Sequence, residues 1–463
     1  MFTDVRGLPL TTENEAAAGH YNAAIDAFFE YRLSTGKRVK QALEADPDFA
    51  MAHCLQGYLF MLFGTIAVLG RARAARTQAR TAGGDRITDR EAAHIAALGA
   101  WADGGMDRTC AIWDQILLDH PRDLLALRLQ HFALFWMGRS AELRGGPARV
   151  LHAWDDTLPG YGNLLGMLAF GHEECGAYAE AEAAGRQAVE LSGEDLWALH
   201  AVTHVLEMQG RLAEGVAWLD YPADAWDDRN PFRGHLWWHR ALFLLEGGDH
   251  DAALALYDRA IHPDPSDFYL DIQNAGSLLA RLEFLGVELG NRWAELAEQL
   301  EGRLDDHVFA FTDTHAMMAL AAAGRSAAAG RLLTSLKTFA ATPGNSAAAV
   351  TEPVTIPVCA AILAYHQGEF GRAADLLLPL RQAFIQIGAS HAQRDIFDQY
   401  LIEAAIAGGR LTLARALLSE RTFAKPNSRG SRLRYAAVLD QLGEAEADSA
   451  ARAGPDLAGH RQS

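Results

Sequence analysis

Apolar residues recur at helical spacing along most of the chain, and short polar turns separate the resulting stretches. Three stretches share one order, a turn, an aspartate and an apolar helix, and they begin at Asp46, His120 and Ser192. Alanine-rich stretches such as GAYAEAEAAGRQAVEL follow them, and Gly176 and Gly210 lie 34 residues apart, which is the period of a tetratricopeptide repeat. Since signals for β-strands are sparse, we predict an all-α solenoid, a superhelix of tetratricopeptide-like helix pairs.

The same pattern predicts how the chain is divided. We expect one solenoid domain over residues 1–442, with a pocket formed mainly by residues 196–395. Residues 443–463 are polar and alanine-rich and are expected to form a frayed tail. Prolines and glycines over residues 341–358 predict the longest loop, which serves either as a lid over the concave side or as a plain surface connection.

Two neighbouring predicted helices each carry a histidine pair at spacing i, i+4. His200 and His204 precede His235 and His239 by 35 residues in both cases, close to one repeat length. The first pair shares a helix face with Glu207, beside the apolar stripe that packs against the next helix. First helices of successive repeats run side by side, so we expect four imidazoles to cluster on the wall of the concave groove.

Four histidines in this register suit a metal ion. Imidazole nitrogens bind Zn, Fe or Mn, and two histidines one helical turn apart can hold one ion. Glu207 is a further ligand or a general base. The alternative is a set of hydrogen-bonded groove histidines among Trp197, Trp237 and Trp238.

Composition narrows the classes of partner. The formal net charge is −18, so DNA, RNA and anionic membranes would be repelled, and we expect none of them as partners. No apolar run approaches the ~20 residues of a membrane span. The four cysteines are far apart and predict reduced thiols of a cytoplasmic protein without a signal segment. The surface permits a homodimer without arguing for one.

Five segments resemble the tetratricopeptide repeat protein 38 family. In chain order they are HAVTHVLEM, HLWWHRALFLLEGGDHDAALALYD, LLARLEFLGV, DDHVFAFTDTHAMMAL and ASHAQRDIFDQ. The resemblance covers roughly residues 4–442 and implies the same solenoid, but it supplies no reaction. The residues that it singles out are His200, His204, Glu207, His235, His239, Asp271, Asp306, His307, Asp313, His315, Ser390, Ala392, Gln393, Arg394 and Asp395.

These residues suggest roles in one shared pocket. Besides Glu207, the candidates for catalytic acid, base or orienting groups are Asp313, His315 and His307. Arg394 could grip a carboxylate or phosphate through two parallel hydrogen bonds. The other candidates for substrate binding are Gln393, Asp395, Asp271 and Trp238. Two structural alternatives stay open: an ion pair of Arg394 that only locks the superhelix, and an N-terminal helix cap at Asp271.

Two classes of function follow. The first is an enzyme that acts on a small, anionic substrate, with metal-assisted hydrolysis as the leading reaction class. A metal-free lyase or isomerase that uses His–Asp pairs, and oxidation at a non-haem iron, are variants of it. The second is a scaffold that binds a partner peptide in an open groove without a metal ion, as tetratricopeptide repeats commonly do.

Overall fold

The computed structural model describes residues 2–444, and these form a superhelix of antiparallel helix pairs. The predicted all-α solenoid of tetratricopeptide-like helix pairs is confirmed. The α-helices are α1 (Glu15–Phe29), α2 (Thr35–Ala45), α3 (Ala50–Leu62), α4 (Leu69–Gly83), α5 (Asp89–Ala102), α6 (Met106–Asp119), α7 (Leu124–Trp136), α8 (Ser140–Val150), α9 (Tyr161–Glu173), α10 (Tyr178–Leu191), α11 (Leu196–Met208), α12 (Leu212–Trp218), α13 (Phe232–Gly247), α14 (His250–Leu256), α15 (Tyr269–Phe284), α16 (Arg292–Leu300), α17 (Ala310–Ala322), α18 (Ser326–Ala340), α19 (Ser346–Val350), α20 (Ile356–His366), α21 (Phe370–Leu377), α22 (His391–Ala407), α23 (Leu411–Ala424) and α24 (Arg429–Gln441).

Short elements complete the described part of the chain. Two strands, β1 (Phe2–Thr3) and β2 (Pro9–Leu10), pair antiparallel. Tighter 3₁₀ turns cover Ile66–Val68, Gly84–Arg86, Leu151–Ala153, Leu378–Leu380 and Phe384–Ile387, and π-helical turns cover Tyr257–Ile261 and Thr351–Thr355.

The sequence signals for helix ends act as expected. Asp123, at the start of α7, and Asp195, at the start of α11, each accept hydrogen bonds from backbone N–H groups of the first helical turn. The turn glycines Gly176, Gly210 and Gly248 have φ values of 76°, 67° and 88°, a conformation that costs other residues about 1–2 kcal/mol. Aspartate caps and left-handed glycines therefore set the boundaries of the helix pairs.

First helices form the inner layer and second helices the outer layer. Along the inner layer α9, α11, α13, α15 and α17 contact one another in sequence, and α10, α12, α14, α16 and α18 cover them from outside. Small residues allow close packing between the layers: a Cβ atom added to Gly185 would lie 2.6 Å from Cγ2 of Val202. One cluster of buried apolar residues extends from Leu10 to Val438.

The superhelix curls until its two halves touch. Backbone at Trp136 and Gly138 packs directly against backbone at Ile385 and Gly388, and the N–H of Ile66 donates to Asp306 at 2.6 Å. The N-terminal end of α22 reaches α9, where the N–H of His391 donates to Glu174 at 3.1 Å. Helix α22 also contacts α11 and α15, so it occupies the space on the concave side.

The predicted loop over residues 341–358 is wrong for most of its length. Helix α19, a π-helical turn and α20 form one helical stretch from Ser346 to His366. The N–H of Ile356 bonds to the carbonyl of Thr351, and this longer turn accommodates prolines that would break a regular α-helix. Two of the prolines that predicted a loop therefore lie in and next to a π-helical turn.

The same stretch changes the expectation about apolar runs. Ser346–His366 has 21 residues and a mean hydropathy of 1.7, so by length and composition it could cross a membrane. Half of its most apolar window is buried inside the protein, where the stretch contacts α17 and α18. Buried core helices meet the same criterion, so this finding is weak evidence for a membrane span.

The last described helix ends close to the predicted domain limit at residue 442, which stays a prediction. Helix α24 ends at Gln441, and Glu444 still pairs with Arg415 at 2.6 Å. The rest of the expected tail, residues 445–463, lies outside the described residues.

A glycine substitution tests the contact between the two halves. Gly138→Ala and Gly324→Ala both place a side chain at a left-handed turn, with φ near 65° and 69°, at about 1–2 kcal/mol each. Only at Gly138 would the new Cβ collide with backbone, that of Ile385, whereas Gly324 faces open space. We expect Gly138→Ala to lower the free energy of unfolding by about 1–3 kcal/mol more than Gly324→Ala, measured by urea titration. Equal losses would show that this contact is dispensable.

Candidate metal centre

The four histidines of the two pairs come together between α11 and α13. One turn of α11 separates His200 from His204, and one turn of α13 separates His235 from His239. All four side chains are buried, at 0–3 % exposure. Their ring centroids lie 4.3–5.0 Å apart for the five pairs in contact.

The imidazole nitrogens converge on one point. Nε2 of His200 lies 2.9 Å from Nε2 of His204 and 3.1 Å from Nε2 of His235. Each of the four residues offers one nitrogen, and these atoms all lie within 4.8 Å of one another. A tetrahedral ion with bonds of 2.0–2.1 Å would hold its nitrogens about 3.3 Å apart, so small ring movements would complete such a set.

Acceptors outside the cluster fix the direction of two rings, and a carboxylate faces the third. Nδ1 of His235 donates to Oδ1 of Asn274 at 2.8 Å, and Nδ1 of His239 donates to Oε2 of Glu207 at 2.9 Å. Nδ1 of His204 faces Oε2 of Glu173 at 3.6 Å. A neutral ring that carries its proton on Nδ1 turns the Nε2 lone pair inward, as in a carboxylate–histidine–metal arrangement.

Burial keeps these rings uncharged. Desolvation lowers the pKa of His235 and of His239 to about 3, and with the neighbouring imidazoles it lowers the pKa of His200 and of His204 well below the ordinary value. Within the described residues, Nε2 of His239 has no hydrogen-bond partner. With their protons on Nδ1, His235 and His239 present Nε2 lone pairs to the inside of the cluster, where these atoms could hold a cation.

Aromatic side chains enclose the cluster. Phe170 and Trp197 pack on the His200 ring at 5.3 and 5.0 Å, and Phe232 lies 5.2 Å from it. Trp238, a predicted substrate contact, stacks on His235 at 5.2 Å with its ring nearly parallel. Because Trp238 is fully buried, it forms part of this wall.

A cavity with apolar and charged lining residues begins beside the cluster, at Glu207. This Glu207 cavity has a volume of about 140 Å³ and lies between α11, α13, α15, α22, α23 and α24. Its charged lining consists of Glu207, Glu246, Arg281, Asp395, Arg421, Lys425 and Arg434. Two of the cations are paired, Arg421 with Asp395 and Arg434 with Glu403.

Two of these groups hold each other in place. Arg421 binds both carboxylate oxygens of Asp395, one of them at 2.8 Å, and this pairing lowers the pKa of Asp395 despite its burial. The guanidinium of Arg281 donates to the carbonyl of Ala392 at 2.8 Å and lies over Trp238.

Other residues of the ASHAQRD run stabilise the N-terminal end of α22. Gln393 and Ser390 form a capping box at the start of α22. Arg394 donates to the carbonyl of Ala389 and, at 3.4 Å, to Glu174, so it ties α22 to α9. Within this run, Asp395 is the residue that lines the Glu207 cavity.

The remaining candidates lie apart from that cavity. His307 pairs with Asp313, Nδ1 to Oδ1 at 2.9 Å, and His307 lines two other cavities. Nδ1 of His315 donates to the carbonyl of Phe311 at 2.7 Å, and burial lowers the pKa of His315 to about 3. The expected single pocket is therefore divided.

Asp271 is not the helix cap. Phe268 occupies the cap position of α15 and Asp271 lies in the first turn, where it accepts from Oγ of Ser266 at 2.6 Å. Burial raises the pKa of Asp271 to about 6.

Some residues of the centre were not predicted. Glu173 is fully buried, and neither of its carboxylate oxygens has a hydrogen-bond partner among the described residues. Burial and the nearby Glu174 raise the pKa of Glu173 well above its ordinary value. The signal was an acidic pair at the C-terminal end of an otherwise apolar helix, about one repeat before His204. Asn274 and Arg281, both on α15, were missed as well.

Comparison with known proteins adds little. No family model matches the chain. A structure of Naa15/Naa10 bound to HypK-THB is 14% identical, with a TM-score of 0.24, over 94% of this chain and 67% of that one. A monomeric IFIT1 mutant with Gppp-AAAA is 14% identical, with a TM-score of 0.37, over 95% and 94%. The human IFIT1 dimer with m7Gppp-AAAA is 12% identical, with a TM-score of 0.37, over 95% and 89%. We draw no functional conclusion from similarities this low.

Stability against acid tests the neutral state of the rings. The unfolded chain takes up protons below about pH 6.5, whereas His235 and His239 stay neutral in the fold down to about pH 3. The free energy of unfolding should therefore be highest above pH 6.5. Between about pH 6.5 and pH 3 it should fall by roughly 1.4 kcal/mol per pH unit for each of these two histidines.

The measurement is urea unfolding of chelator-treated protein at pH 7, 6 and 5. His235→Asn should reduce the slope of free energy against pH by about 1.4 kcal/mol per unit. The exposed His152 provides the control, since His152→Ala should leave the slope unchanged. A flat profile for the unsubstituted protein would contradict the assignment.

Proposed function

We propose that the protein is a metal-dependent enzyme that acts on a small, anionic molecule. His200, His204, His235 and His239 would hold one divalent ion, Zn, Fe or Mn, through their Nε2 atoms. The observation that carries the proposal is the convergence of these four buried nitrogens within 4.8 Å. An ion that keeps or gains a further coordination position beside these ligands would supply Lewis-acid chemistry, and metal-assisted hydrolysis is the reaction class that we favour.

Glu207 connects the proposed centre to the cavity. One of its oxygens accepts from Nδ1 of His239, while its side chain also lines the Glu207 cavity. We assign to it the role of general base, which takes a proton from a water or substrate molecule in that cavity. Arg281 and Lys425 line the same cavity and would hold the anionic end of the substrate. Buried Arg281 is held by Ser277 and Ala392, so it needs little reorganisation.

Two other functions, a metal-free enzyme and a peptide-binding scaffold, are distinguished from this one by the tests below. A metal-free lyase or isomerase would use the Glu207–His239 pair without an ion. A scaffold would bind a peptide in the concave groove, beside α22, which contacts α11 and α15. The proposal also includes membership of the tetratricopeptide repeat protein 38 family, one domain over residues 1–442, and a cytoplasmic location as a monomer or homodimer.

Metal analysis of protein purified without a histidine tag tests the centre. We expect about one ion per chain for the unsubstituted protein and for the control His152→Ala, measured by inductively coupled plasma mass spectrometry. His204→Ala removes one of the four ligands and should lose the ion, while circular dichroism shows that the helices persist. Metal-free protein that remains folded and binds no added Zn²⁺, Fe²⁺ or Mn²⁺ would refute the metal site and leave the lyase and the scaffold.

A milder variant tests the role of Glu207. Glu207→Gln leaves the four ligands in place but weakens the acceptor of His239, so metal affinity should fall about 10–100-fold. Competition with a chromophoric chelator measures the affinity. Glu246→Gln changes another acid of the same cavity and should leave the affinity within about threefold. An equal loss of metal affinity in both variants would indicate that Glu207 acts only through its negative charge in the cavity, and not through its hydrogen bond to His239.

A further inference from the structure

A second set of catalytic residue types lies outside the metal centre. Asp313 on α17 accepts from Nδ1 of His307 at 2.9 Å, and Nε2 of His307 lies 2.8 Å from Oγ of Ser335 on α18. His307 is 5 % exposed and Asp313 8 %. Aspartate, histidine and serine are thus connected in the order and at the distances of a nucleophilic triad, which is identified by geometry and independently of the fold.

The triad lies where a groove and a cavity adjoin. An open groove of about 750 Å³ is lined by Ser335 and other polar residues of α18, and a neighbouring cavity has about 540 Å³. His307, Asp305 and Phe339 line both. Such a volume falls in the range of ligand pockets.

The cavity suits an apolar group. Its lining includes Trp101, Phe132, Trp136, Phe309 and Phe339. The indole N–H of Trp136 is buried and has no hydrogen-bond partner within residues 2–444. The lining therefore combines a mainly apolar surface with polar groups, as expected for a small-molecule site.

We propose that Ser335, His307 and Asp313 form a hydrolytic site for carboxylic esters, whose acyl group occupies the aromatic cavity. Oγ of Ser335 bonds to the carbonyl carbon while its proton passes to Nε2 of His307. The bond from that carbon to the alcohol oxygen breaks, and the alcohol leaves with the proton. A water then attacks the acyl-serine, gives one proton through His307 to Oγ of Ser335, and releases the carboxylic acid.

Two neighbours shape this chemistry. Oγ of Ser335 also lies 2.6 Å from Oδ1 of Asp305, which competes with His307 for the single hydroxyl proton. The reaction requires the conformer in which that proton points to His307. Arg331 lies one turn before Ser335 on α18 and lines the same groove, where its charge would stabilise the developing oxyanion.

This site is independent of the proposed metal centre. The Glu207 cavity shares no lining residue with the groove or the aromatic cavity. Ester hydrolysis at Ser335 should therefore persist in the presence of a chelator and in the variant His204→Ala.

Ester substrates and a serine-directed reagent test the proposal on the full chain. We expect hydrolysis of p-nitrophenyl butyrate, and labelling by a fluorophosphonate reagent located at Ser335 by peptide mass spectrometry. Ser335→Ala and His307→Gln should lower kcat/KM roughly 10³-fold. Asp305→Asn removes the competing carboxylate and should leave the rate at least as high. Ser326→Ala, at an exposed serine of the same helix, is the control and should keep both rate and labelling.

Three results would overturn the inference. They are the absence of both hydrolysis and Ser335 labelling, a Ser335→Ala variant that keeps the rate, and hydrolysis that is lost with chelator or His204→Ala but not with Ser335→Ala. The last result would assign the activity to the metal centre. A circular dichroism spectrum unchanged by Ser335→Ala ensures that any loss is chemical.

Discussion

Four uncharged imidazoles that share one dry space are the constraint on which the central part of the structure depends. Burial alone would make such a cluster unfavourable, because buried nitrogens need hydrogen-bond partners. Asn274, Glu207 and Glu173 take up or face the outward nitrogens of three rings, and aromatic rings keep water from the inward ones. Helices α9, α11, α13 and α15 thus each contribute to one polar core within an apolar solenoid.

The curled solenoid explains why the described residues form several separate cavities. Helix α22 lies across the concave side, ties to α9 through Glu174 and contributes Asp395 to the Glu207 cavity. Contact between the two halves forms the separate aromatic cavity, which residues from α3, α5, α7 and α17 line. The lining of each cavity therefore depends on contacts between helices that are far apart in the sequence, although each helix pair packs mainly on its neighbours.

The repeat period predicted the register of the histidines, because 35 residues return the chain to the equivalent position on the next first helix. It could not predict which acids would join them. Glu173 belongs to the preceding pair, and its approach to His204 depends on the angle between α9 and α11. His307 and Asp313 were predicted as catalytic candidates from the sequence. Their partner Ser335 was not, because it lies on α18, a second helix whose sequence shows no catalytic motif. The prolines near residue 353 were misread because a π-turn and a loop give the same local signal.

The aromatic enclosure of the imidazoles also bears on how fast the proposed ion would exchange. Phe170, Trp197, Phe232 and Trp238 pack around the rings, and Glu207 separates them from the adjoining cavity. Under the metal proposal, an ion would enter or leave past Glu207 or when α11 and α13 move apart. Its exchange rate would then depend on the frequency of that local opening as well as on the strength of the coordinate bonds.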